Sequence, residues 1–197
     1  MEERILSEKE SLELISCMIR NTQKRIVKKA GIPFIVFGYL TVLITVAVWF
    51  ALSRTGNSNW NFLWYAIPVI GWPITMIFDK KYPKDVYTYV DRVVGYLWIT
   101  CGVVCAGASI LAVFFHISIM FIVLLVTGLG SAVTGFIMQF KPLIISGFIS
   151  IIISFCCLIM QEYNSLQMLL LAIAFVVMMI IPGHIMNYKA GKQCLEN

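Results

Sequence analysis

Six cysteines and two histidines are the side chains of this 197-residue chain best suited to chemistry. Cys101 and Cys105 lie one helical turn apart, and Cys156 sits beside Cys157 in a second apolar stretch. Thiolates with thioethers suit copper(I) or zinc, and the chain carries ten methionines. Yet it has no C-x-x-C or M-x-x-M spacing, and a free cysteine packs as a small apolar filler. No metal site is expected. His116 falls at a turn, and His184 follows Pro182 and Gly183. A proline removes a backbone donor and leaves a carbonyl free, so His184 is expected to bond that carbonyl. The alternative is a pH-sensing or metal-binding role. Away from their ends the apolar stretches hold no Asp, Glu, Lys or Arg, so an intramembrane proton relay or counter-ion is missing. There is no glycine-rich nucleotide loop, no H-E-x-x-H and no Ser–His–Asp set. The sequence therefore yields no catalytic, cofactor-binding or metal residues. It points to a protein that is not an enzyme.

The elements that hold these residues follow from composition. Hydrophobic residues make up 60% of the chain and charged ones 13%, about half the charged share of a soluble domain. Between Val93 and Met138 there is no charged residue. A helix rises ~1.5 Å per residue against a hydrocarbon core of ~30 Å, so stretches of about 20 apolar residues read as membrane spans. Six are predicted, at about 33–52, 60–78, 93–115, 118–138, 143–160 and 168–186. The fold class is all-α, an integral bundle of six transmembrane helices at 32–189. Residues 1–31 precede it, and 190–197 form a tail. The polar first thirty residues lack the apolar core of a signal peptide.

Orientation follows from the basic residues. With the six spans in place, all but Arg54 of the fifteen Lys and Arg fall on one side. Basic segments stay cytoplasmic, so both termini are expected there. The net charge of +5 is thereby explained without nucleic acid. Cys17 and Cys194 fall on the reducing side and the other four cysteines within spans, so disulfides are not expected.

The chain repeats itself. GFIMQFK at 135–141 recurs as GHIMNYK at 183–189, with a weaker echo in PITMIFDK at 73–80. Outgoing spans also match: GYLTVLI at 38–44, GYLWITC at 95–101 and GFISIII at 147–153. A period near fifty residues suggests a structural repeat, read as three tandem helical hairpins about a pseudo-threefold axis. Each recurring ending is read as an anchor, with Phe140 and Tyr188 at the interface and Lys141 and Lys189 reaching the headgroups. Thr127, Ser131 and Gly135, with Gly128 and Gly130, give span four a close-packing face. Its expected partner is span three, through Gly102, Ala106 and Gly107. Pro68, Gly71 and Pro73 should kink or unwind span two.

Residues 7–29 read as a cytoplasmic amphipathic helix. Ser7 and Glu10 form a capping box; Leu12, Ile15, Ile19 and Ile26 mark one face. Its acidic start and basic end suit the helix dipole, and Gly31 and Pro33 should break it. It would lie on the inner leaflet, or dock a cytoplasmic partner or another copy in a homo-oligomer. In the connection 79–92, Val86, Tyr89, Val90 and Val93 keep helical spacing, so span three should begin early. KESLELISCMIRNT at 9–22, GYLTVLITVAVW with TGN and IPVIGWP after it, YTYVDRVVGYLW at 87–98 and MMIIPGHIMNYK at 178–189 together resemble a family of small bacterial multi-pass membrane proteins of unknown function. The resemblance implies the six-span topology and the bacterial membrane, and no activity. The function expected is that of a membrane scaffold, sensor or accessory subunit acting through partners. The alternative is a channel or facilitator for a small neutral or lipophilic solute, lined by Thr and Ser.

Overall fold

The computed structural model describes residues 8–81, 89–115, 118–159 and 164–192. His116, Cys194, Ser7 and residues 82–88 of the 79–92 connection lie outside the described residues, as do the side chains of the predicted amphipathic face apart from Leu12. Among the described residues the chain is helical, with no strand. Helix α1 runs Glu8–Thr55, and a 3₁₀ helix at Ser58–Tyr65 leads into α2 (Ala66–Lys81). Then come α3 (Tyr89–Phe115), α4 (Ile119–Ile137) and α5 (Lys141–Ile159). α6 (Asn164–Phe175) passes through a π-helical turn, Val176–Ile180, into α7 (Ile181–Lys192). Six stretches are long and apolar enough to cross a membrane: Gly31–Thr55, Asn59–Phe78, Tyr89–Ala112, Ile119–Ile137, Lys141–Ile159 and Leu166–Tyr188. They match the predicted spans, and α3 does begin early, at Tyr89.

The predicted break at Gly31 and Pro33 does not occur. α1 is one helix of 48 residues with Pro33 inside it. Gly31 instead serves packing: a Cβ there would lie 3.1 Å from Met186 Cβ and 3.2 Å from the Gly183 carbonyl. A proline inside a membrane helix is tolerated because neighbouring groups compensate the lost bond. Where α1 does end, Gly56 takes φ +62° and donates its N–H to Leu52 O at 2.9 Å, the left-handed cap that glycine adopts freely. The Asn57 side chain then accepts from Asn59 N–H at 3.0 Å and caps the 3₁₀ helix. Span two unwinds there, ahead of the proline cluster. Pro68 falls in the first turn of α2, where its missing donor costs nothing, and Gly71 lets the Phe37 ring of α1 approach.

The core gathers Leu124, Leu143, Met178 and Met186, all fully buried, with Phe34, Phe140 and Leu171 around them. α4 packs most extensively on α5, and α1 on α7. α2 and α3 are peripheral, α2 resting on α1 and α3 on α4. Only 6% of each of their spans is buried, against 50% for Leu166–Tyr188. The tightest contact is therefore not between spans three and four. Gly102 and Gly107 of α3 meet no neighbour; the small face of α4 is used by α5.

Candidate functional site

Two seams organise the bundle, and glycines set both. In the first, a Cβ on Gly147 of α5 would lie 2.6 Å from Ala132 N of α4, and one on Gly135 would lie 2.8 Å from Ile144 N. In the second, a Cβ on Gly38 of α1 would meet Ile180 Cγ1 at 2.8 Å, and one on Gly183 would meet Ile35 Cγ1 at 2.7 Å. These are the same contacts in the register of the recurring phrases. Gly147 and Gly38 open the matched outgoing motifs, and Gly135 and Gly183 open the matched endings. Ala132 and Ile180 each precede an ending glycine by three positions, as Ile144 and Ile35 precede an outgoing one. The next residues pair as well. Phe136 and Phe148 stand edge to face at 6.4 Å between ring centroids, and His184 and Tyr39 do so at 5.9 Å.

The recurring phrases thus meet where α4 packs on α5 and α7 on α1, and the closest packing falls between the predicted hairpins. The endings differ in backbone. GFIMQFK stops its helix: Phe140 N–H reaches Gly135 O at 2.9 Å and Gln139 N–H reaches Phe136 O at 3.2 Å, with Gln139 at φ +52°. This is the double-bonded αL stop, built on Gln where Gly is usual. GHIMNYK continues as helix to Lys192. Phe140 is buried in the core and is not the interfacial anchor predicted, whereas Tyr188 is exposed.

His184 does not cap a carbonyl freed by Pro182. Its Nε2 lies 3.1 Å from the Tyr39 hydroxyl, and both rings face outward from the bundle. Tyr39 was not singled out by chemistry, although it stands beside Gly38 in the repeated outgoing motif. Cys101 Sγ points at Val126 O across the α3–α4 contact, at 3.9 Å. Cys157 is buried and its carbonyl accepts from Gln167 Nε2 at 2.8 Å, which ties α6 to the end of α5. Among the described residues no three of His, Cys, Asp and Glu come together as a metal ion would need.

Most buried and half-buried hydroxyls with a hydrogen bond serve their own helices. Thr45 donates to Thr41 O, Thr127 to Val123 O, Thr134 to Gly130 O, Ser146 to Leu143 O and Ser154 to Ile151 O, at 2.6–3.1 Å. Ser150 instead crosses the first seam to Leu124 O at 3.4 Å. Ser131 Oγ is fully buried without a partner. An apolar groove of about 350 Å³ lies between α5 and the last helix, lined by Pro142, Ile145, Ile149, Val177 and Ile181 with Lys141 at one end. Comparison with protein families, with characterised proteins and with solved structures finds no match to this chain.

Proposed function

We propose that the chain is a non-enzymatic component of a bacterial inner membrane, with both termini in the cytoplasm, that works by holding partners as a scaffold, sensor or accessory subunit. The observation that carries this reading is how the bundle uses its small residues. Gly128, Ala132, Gly135 and Gly147 bring two backbones together, and the buried Thr and Ser hydroxyls are largely spent on carbonyls of their own helices. A solute path would need polar groups turned toward a common passage. Orientation is supported by the sidedness of the basic residues, with Arg54 alone at the opposite end and stacked over the Phe50 ring at 5.3 Å. Residues 7–29 are the segment proposed to meet a cytoplasmic partner.

The test is a flux measurement on the purified chain in liposomes. Swelling in urea or glycerol should run at the rate of protein-free vesicles. Swelling well above that rate would move the function to the solute pathway and end the scaffold reading.

A further inference from the structure

The two closed seams define what a third would look like, and the chain holds both of its halves. The outgoing half is GYLWITC on α3, in which Gly95 stands where Gly147 and Gly38 stand, and Tyr96 where Phe148 and Tyr39 stand. The returning half is PITMIFDK on α2, in which Met76 corresponds to Met138 and Met186, and Ile70 to Ala132 and Ile180. In the two closed seams these positions are covered: Ala132 is 4% exposed, Ile180 8%, Met138 5% and Met186 0%. In the third they are open. Ile70 is 44% exposed and Met76 53%, and a Cβ on Gly95 would meet nothing within 4 Å.

We infer that this third seam closes between two copies of the chain, α2 of one copy packing on α3 of the other. Each half is held in place within its own copy. Gly71 fits α2 against the Phe37 ring of α1, and Cys101 fits α3 against Gly130 of α4. Neither helix packs substantially on the other. Because every copy offers both halves, a two-fold arrangement closes two seams at once, the self-complementary interface that symmetric dimers use. Between helices in lipid, close backbone approach supplies the attraction, and Gly95 provides it. The third seam departs from the other two where Pro73 takes the place of Gly135 and Gly183 and Arg92 that of Ile144 and Ile35, so the close approach rests on Gly95 alone, with Arg92 at the end of the span where a long basic side chain reaches the headgroups. The inference concerns how copies meet and stands apart from whether the protein holds partners or passes a solute.

The register names the residues to cross-link. Ile74 corresponds to Phe136 and His184, so its neighbour across the seam should be Tyr96 of the second copy. Full-length chains carrying Ile74→Cys and Tyr96→Cys, on two differently tagged copies, are co-expressed and oxidised in native membranes with copper phenanthroline. A band containing both tags should appear, exceed that from either single substitution beside an unsubstituted copy, and disappear when Gly95→Leu is added to the Tyr96→Cys copy. Gly95 is open in the single chain, so that change leaves the monomer folded, as an unaltered melting profile would verify. Absence of the mixed band, its survival in Gly95→Leu, or a cross-link found only within a doubly substituted chain overturns the inference.

Discussion

Tyr39 and His184 occupy the positions that Phe148 and Phe136 occupy in the other seam. The pair adds one hydrogen bond at 3.1 Å to an edge-to-face ring contact that phenylalanines already make. Interhelical hydrogen bonds in membranes contribute about 0.6 kcal/mol on average, since the unpacked helices find other partners. Tyr39→Phe should therefore cost about that much. Tyr39→Phe with His184→Phe together should return close to the parent stability, which a double-mutant cycle read by unfolding in mixed micelles will measure. A polar role beyond packing would leave the double variant well short. His184 drew attention in the sequence because few of the residues in the spans titrate. Its partner was illegible, because a tyrosine within an apolar run looks like any other apolar position until the register of two helices 145 residues apart is fixed.

At the scale of the helix, small residues carry the argument, and their meaning depends on what faces them. Gly147 and Gly102 are both glycines inside apolar helices, but only the first lies against another backbone. Gly147→Ala forces α4 and α5 apart and should destabilise by about 1–3 kcal/mol, the usual range for overpacking. Gly102→Ala meets open space and should be neutral or gain up to about 1 kcal/mol from helix propensity. Thermal unfolding of the two variants side by side distinguishes the cases. The close-packing face of α4 was readable from Gly128, Ser131 and Gly135, but its partner was not. Spacing shows that a face is small, while the choice between α3 and α5 rests on how well Ile144 and Gly147 fill the groove it leaves. Likewise the span limits were legible from hydropathy alone, whereas Gly31 and Pro33 looked like a helix stop. Their effect was reversed by tertiary contact, with Gly31 seated against Gly183 and Met186.

Across the whole molecule, α1 touches α2, α6, the π turn and α7, while residues 7–29 are proposed to meet a partner outside the bundle. Removing residues 8–28 should therefore leave the melting temperature of the detergent-solubilised bundle unchanged within a degree or two, the shift expected of a few tenths of a kcal/mol. A marked drop would mean that this segment braces the bundle. The recurrence of phrases along the sequence was legible, as was its tie to helix ends. Which helices it would join was not, because a linear repeat is silent about whether an ending meets the span before it or the one that follows.

The unbroken course of α1 gives the molecule a mechanical property. Its 48 residues make a rod of about 72 Å, more than twice the ~30 Å hydrocarbon thickness. With the helix continuous through Pro33, a tilt or torque applied near Glu8 is passed to the crossing at Gly31 and Gly183, so the arm behaves as a lever with its fulcrum at that glycine pair.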